Sequence, residues 1–409
     1  MRCRLFFSLA LFVSLNAAAQ QVTIQQGTSL SNLINNLYGG DGIQLKNTGH
    51  QAHFGGPENF QQFTDALQKT LQAKPLFPIP SSVGLVSYKF NEDTGTYERV
   101  QSSFGPILAE RATTSGRKHV NFGVSYTFSD FQNFNGNDSL DLTLHHCHDP
   151  QCFRSPTDAF LNDTIDVRVN LKLKSQVIAT SVVYGLTDRV DVGIVVPYVR
   201  NDLNVFTHAK IVVSPGSDPT FHQFDPNVET PDQLAIGHAI GIGDVIARAK
   251  MQLPLKLPFQ TAVLADVIIP SGDKKNFLGT GDLRVRGTFI ASTSGTRFAP
   301  HVNVGYEWNT STSRLSTVDY RAGSEVVISP RLTFAGDLVG SVQPSTASEF
   351  RVDALENESL VGRSQIDVSL GAKYQIGTHS LLSINFLSPV NDTGIRPNNV
   401  VTFGFQYGM

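Results

Sequence analysis

The stretch IDVRVNLKLK, residues 165–174, carries the pattern from which the architecture follows. Ile165, Val167, Val169, Leu171 and Leu173 alternate with Asp166, Arg168, Asn170, Lys172 and Lys174. Successive side chains of a strand point to opposite faces, so this stretch is a strand with one apolar and one charged face. The same period persists on both sides of it. Upstream, Val120, Phe122, Val124, Tyr126 and Phe128 alternate with small polar residues. Downstream, Val245, Ala247, Ala249 and Met251 oppose Asp244, Arg248, Lys250 and Gln252. Val302, Val304, Tyr306 and Trp308 oppose His301, Asn303 and Glu307, and Ile366, Val368, Leu370 and Tyr374 oppose Asp367 and Lys373.

Length and punctuation say which face is inside. Strands of a soluble sandwich average about five to six residues. These run roughly nine to twelve, the length that crosses a bilayer at a tilt. The connectors alternate as well. TDR (187–189), PLKLP (254–258), TSGT (293–296), SPR (329–331) and GTH (377–379) are tight, whereas 132–162, 206–239, 271–280, 345–362 and 389–397 are longer and mostly polar. Tyr184, Tyr198, Tyr306, Trp308, Tyr374 and Tyr407 lie near strand ends, where interfacial girdles belong. The expected fold is all-β: a transmembrane antiparallel up-and-down barrel of about 14 strands, with 12 or 16 as alternatives. Its first two strands are placed near 81–91 and 95–112. Pro197 departs from the pattern, because a closed sheet needs every donor, and a bulge or a strand end is expected there.

Composition agrees with the barrel. Charged residues are 16% of the 409, low against the roughly 25% usual in soluble proteins. No internal run approaches the roughly 18 to 20 apolar residues of a membrane helix. A net charge of −3 offers no footprint for nucleic acid. At the start, Arg2 and Arg4 precede the run LFFSLALFVSL, and Ala17–Ala19 supply a small-residue cleavage site, so 1–19 reads as a signal peptide. Residues 20–80 read as a partly helical periplasmic extension or plug. Leu30, Leu33, Ile34 and Leu37 share one helical face behind Thr28 or Ser29 as cap, and Phe60, Phe63, Leu67 and Leu71 mark a second helix. The barrel proper is assigned to 81–409.

Export leaves Cys147 and Cys152, within HHCHDPQC, as the cysteines of the mature chain. Outside the cytoplasm such a pair oxidises, so a loop disulfide is expected. A zinc site with His145, His146, His148 and Asp149 is the lesser reading, because structural zinc combines two ligand pairs on a fold that aims them inward. No metal or cofactor is called for. PSGDKKNFLGTGD (270–282) lacks phosphate-loop spacing, and no hydrolase or metalloprotease pattern is present. The chain is not expected to be an enzyme.

By parity the charged residues gather in the lumen. Its lining is expected to comprise Asp166, Arg168, Lys172, Lys174, Asp244, Arg248, Lys250, Asp282, Arg284, Arg286, Glu307, Asp319, Arg321, Glu325, Asp337, Asp367 and Lys373. Such a lining makes either a wet, weakly selective conduit or an ion-pair brace that fills the barrel.

Several phrases resemble a family of bacterial outer-membrane barrels described as transporters linked to the meta-pathway of phenol degradation. They are GPILAERATTSGRKHVNFGVSYTFSDF (105–131), YGLTDRVDVGIVVPYV (184–199), GIGDVIARAK (241–250), IIPSGDKKNFLGTGD (268–282) and APHVNVGYEWN (299–309). The general form is similar to channels for fatty acids and aromatic hydrocarbons. The resemblance implies outer-membrane localisation and uptake of small, hydrophobic or aromatic molecules. Implied partners are the membrane lipid, the barrel assembly machinery and the solute, with no nucleic acid. Two alternatives are a structural or surface-binding barrel without transport and a soluble secreted β-sandwich binding module.

Overall fold

The alternating segments pair edge to edge into one closed sheet in the computed structural model. It describes residues 20–21, 28–38, 43, 45–46, 88–91, 96–99, 103–145, 159–225, 232–295, 297–311, 313, 316–343 and 364–409. The stretch read as a signal peptide, Cys147, Cys152 and the expected second N-terminal helix lie outside these residues. Twelve strands make the wall. They are β1 (Val120–Phe134), β2 (Thr164–Thr187), β3 (Val190–Val212), β4 (Val245–Leu253), β5 (Gln260–Ile269) and β6 (Arg284–Ser292). The circuit continues through β7 (Phe298–Asn309), β8 (Thr317–Ser329), β9 (Leu332–Val342), β10 (Ser364–Ile376), β11 (Ser380–Pro389) and β12 (Ile395–Gly408). Each pairs antiparallel with the next, and β12 closes on β1, with Tyr407 opposite Phe122.

The count is twelve because neither of the first two expected strands enters the wall. Tyr88–Asn91 and Thr96–Arg99 form a separate two-stranded sheet, and residues 103–115 lie inside the barrel. An additional strand, Asp232–Ile242, pairs with the far half of β3, while β4 pairs with its near half. Between them, at Gly243 and Asp244, the pairing breaks. Pro197 sits opposite that break and its carbonyl accepts the Gly243 N–H at 2.9 Å. In an antiparallel ladder a residue's N–H and C=O point the same way, so the missing donor falls where no paired strand demands it.

The outside is apolar and the inside polar, the reverse of a sandwich. Val302, Val304, Tyr306 and Trp308 are each about half exposed, as are Ile384, Phe386 and Phe403, whereas His301, Asn303 and Glu307 are buried. An exposed apolar belt of this extent suits lipid and no aqueous surface. The soluble module is thereby excluded.

The parity argument fails along half of β2 and β3. Both exceed twenty residues, about twice what a bilayer needs. Near the tight turns β2 exposes Ile178, Val182 and Tyr184; further along, the same outward face carries Lys174, Lys172 and Arg168, all exposed, with Asp166 half-buried. On β3 the outward side chains likewise change from Ile194 and Tyr198 to Arg200, Asn204, His208 and Lys210. The outer face of these halves is charged and suits water instead of lipid, and their apolar face turns inward. Asp166, Arg168, Lys172 and Lys174 therefore do not line the lumen. Val169, read by alternation as lipid-facing, is fully buried.

Helix α1 (Leu30–Asn35) lies at this long-loop end, against the additional strand and residues 274–276. Its Leu30, Leu33, Ile34 and following Leu37 join one buried cluster with Ile165, Val167, Val169, Leu203 and Val205. The expected helical face is thus present, at the end of the barrel that carries the long loops. Ser29 caps it, its hydroxyl accepting the Asn32 N–H, and Asn276 Oδ1 accepts the Leu30 N–H at 3.0 Å.

Candidate functional site

The lumen holds the chain's own segment SFGPILAERATTS (103–115), every residue of which is buried. It enters beside β9 and β10, rises to mid-barrel and returns to the tight-turn end beside β3. Wall side chains hold its main chain along the way. Phe104 N–H donates to Thr333 Oγ1 at 3.2 Å, and Lys373 Nζ donates to the carbonyls of Phe104 (3.2 Å) and Pro106 (2.7 Å). Arg321 donates to the Leu108 carbonyl at 2.9 Å. Asn303 makes a reciprocal pair with Glu110, accepting its N–H at 2.6 Å and donating to its carbonyl at 2.9 Å. Ala112 N–H reaches Ser292 Oγ (3.0 Å) and Ser115 N–H reaches Asp191 (2.9 Å). A segment without helix or sheet partners can be buried only if its peptide groups are satisfied this way.

Its two charged side chains plug into the wall. Glu110 lies 3.1 Å from Arg248 and 3.6 Å from Lys250. Arg111 pairs with Glu325, its Nε donating to Oε1 at 3.3 Å. The wall charges continue from strand to strand. Arg248 and Arg286 flank Asp266 at 3.1 and 3.3 Å, Arg284 reaches Glu307 at 2.7 Å and Asp244 at 3.6 Å. His301 spans two carboxylates, Nδ1 3.2 Å from Glu325 and Nε2 2.5 Å from Asp337. Register explains the contacts, since Arg248, Asp266 and Arg286 are direct cross-strand neighbours.

Of the residues expected to line the lumen, Asp244, Arg248, Lys250, Arg284, Arg286, Glu307, Glu325, Asp337 and Lys373 are buried inside. Asp282, Asp319, Arg321 and Asp367 are half-buried. Asp282 accepts from Asn309 Nδ2 at 3.0 Å, and Asp367 pairs with Arg396. Of these, Arg248, Lys250, Arg321, Glu325 and Lys373 touch the plug directly. Glu110, Arg111 and Asp266 escaped sequence reasoning. Asp266 carried a usable signal, being the one charge of the largely apolar strand β5, facing arginines on both sides.

The opposite wall is different. From the long-loop end inward, β2 presents Ile165, Val167, Val169, Leu171, Leu173, Val177, Ala179 and Val183, all 3% exposed or less. Beside them β3 presents Val205, Leu203, Val199 and Val195. This stripe ends at a gap between the plug's Ile107 and Leu108 and the wall residues Ser125, Ala179, Ser181 and Thr402, with a cavity volume of about 30 Å³. Benzene fills an apolar cavity of about 150 Å³, so with the plug seated this gap holds water but not an aromatic ring.

A twelve-stranded closed barrel with an apolar belt and its own segment inside the lumen has the architecture of an outer-membrane β-barrel. Residues 155–388 match the family described as "Putative MetA-pathway of phenol degradation", and the chain belongs to that family. Among solved structures it is similar to an outer membrane channel from Pseudomonas putida F1, at 13% identity and a TM-score of 0.45, over 73% of this chain and 98% of that one. It is also similar to the Ralstonia pickettii toluene transporter TbuX, at 11% identity and a TM-score of 0.37, over 75% of this chain and 96% of that one. Comparison with curated protein sequences finds no match.

Proposed function

We propose that the protein is an outer-membrane channel for small hydrophobic and aromatic compounds, with its tight turns in the periplasm and its long loops outside. The apolar stripe of β2 and β3 carries this reading. It runs from the long-loop end to the plug while the facing wall is charged, so an apolar solute has a dewetted track that an ion or sugar has no reason to follow. Passage requires both α1 and the plug to shift, because α1 with Phe277 and Leu278 packs on the outer part of the stripe and the gap beside Leu108 is too small. Chemistry at the site is not invoked. The same reading has the chain exported with cleavage after Ala19, inserted by the assembly machinery, and bridged between Cys147 and Cys152.

The test needs a real outer membrane, since plain phospholipid bilayers are themselves permeable to hydrocarbons. Cells carrying the protein should take up the fluorescent probe 1-N-phenylnaphthylamine faster than cells without it. Val177→Asp combined with Val199→Asp should return uptake to background at equal barrel levels. The firm seating of the plug favours a second reading, a structural barrel without transport. Identical uptake with and without the protein supports that alternative and sinks the channel.

A further inference from the structure

The gap beside Ile107 and Leu108 is lined by charge of one sign only. A single rung of the wall forms one side of it: Lys373, Ser383, Gly404, Ser125 and Ala179 are successive cross-strand partners on β10, β11, β12, β1 and β2. After the lysine the side chains are small, and they leave about 30 Å³ that the plug does not fill. Ser181 and Thr402 add hydroxyls and Arg248 a second cation, but no carboxylate lines the gap. The two cations are not equivalent. Arg248 is matched by Glu110 and Asp266. Lys373 Nζ reaches main-chain carbonyls alone, those of Phe104 and Pro106, and no carboxylate among the described residues lies within ion-pair distance of it. Acids of the surrounding network are engaged elsewhere, Glu325 by Arg111 and His301, Asp337 by His301, and Glu110 by Arg248 and Lys250.

Lys373 is 2% exposed, so its ammonium has neither bulk water nor a counter-charge at hand. A charge buried in that way is strongly disfavoured unless something pairs with it. An ammonium carries three donors, and two carbonyls leave one over. One rung away the surplus of donors recurs: Asn385, opposite Thr402 and 1% exposed, has an amide Nδ2 without an acceptor among the described residues. We propose that the gap is a binding site for one small monovalent anion of the halide class, held by Lys373 Nζ and the hydroxyls of Ser383 and Ser125. A cavity of about 10–15 Å³ holds one water, so this one admits a halide but excludes bulky organic anions. The ion supplies the missing counter-charge. Because Lys373 also holds the carbonyls of Phe104 and Pro106, the ion ties the entering end of the plug to β10, β11 and β1.

Chloride NMR of the full-length protein in a zwitterionic detergent reads a bound ion as line broadening in excess of that from empty micelles. The excess should be present and should fall when bromide is added as competitor. The protein should also melt at a higher temperature in sodium chloride than in sodium gluconate of equal ionic strength, because a ligand of the folded state stabilises it. Lys373→Met should abolish both effects. Ser383→Asp sets a carboxylate directly across the ladder from Lys373 and should abolish them too, without lowering the melting temperature in gluconate. It carries the test if Lys373→Met fails to assemble. Broadening no greater than that of micelles means that the gap holds water only, and overturns the site. Broadening that survives Ser383→Asp places the ion elsewhere and overturns it equally.

Discussion

Glu110 is the single anion of the plug, and it sits between Arg248 and Lys250 where water does not reach. Removing one partner of a buried ion pair strands the other charge, which costs about 3–5 kcal/mol. Glu110→Ala should therefore lower the melting temperature of the barrel clearly. Glu110→Gln, which keeps an acceptor for Arg248, should lower it less. Equal melting of both variants and the native protein would show that the plug is not held by this side chain. Asn303 belongs to the same argument. Parity places it on the polar face and no more, whereas in the fold it satisfies both peptide groups of Glu110. Asn303→Ala should cost about 1–3 kcal/mol, the penalty for leaving buried groups unmade. Sequence could assign that side chain a face but not its partner, because the partner lies 193 positions away.

At the scale of the element, β2 shows what alternation can and cannot tell. Period two correctly groups Asp166, Arg168, Lys172 and Lys174 on one face and Val167, Val169 and Leu171 on the other. Which face meets lipid depends on whether the bilayer surrounds that part of the strand, and nothing in the period records it. The usable signal was length, since 24 residues cannot all lie in a membrane that about 9–11 suffice to cross. Cysteines placed at Lys172 or Arg168 should be labelled by a membrane-impermeant thiol reagent on intact cells, and one at Ile178 should not. Ile178→Arg or Val304→Arg should impair assembly by roughly 2–4 kcal/mol if near the midplane. Labelling at Ile178 but not at Lys172 would put the bilayer boundary in the wrong place. The additional strand offers a second check. A Cβ on Gly237 would stand 2.3 Å from Leu33 Cδ1 and 2.9 Å from Leu30 Cδ2, so Gly237→Leu should push α1 from its seat. A helix of six residues has no stability of its own, and once displaced it should become a site of rapid proteolysis in 28–38.

For the whole molecule, the two walls of the lumen make opposite demands. The charged wall from β4 to β10 closes tightly only with the plug seated, because Glu110 and Arg111 complete its pairs. Replacing residues 105–112 by a glycine–serine linker should therefore open an aqueous path, read as a rise in single-channel conductance in planar bilayers. The exposed wall would carry Asp244, Asp266, Glu307, Glu325 and Asp337 against Arg248, Lys250, Arg284, Arg286 and Lys373, so selectivity between small anions and cations should be weak. Adding Arg284→Ala and Arg286→Ala to the linker variant leaves Asp244, Asp266 and Glu307 short of cations in a confined path, and permeation should turn toward cations. In the native background the same pair of substitutions has no open path to act on. It should appear instead as a fall in thermal stability, since both arginines are buried against carboxylates. Strong cation selectivity from the double substitution with the plug intact would mean that ions already pass beside Glu110 and Arg111, and the plug would then not be what closes this barrel.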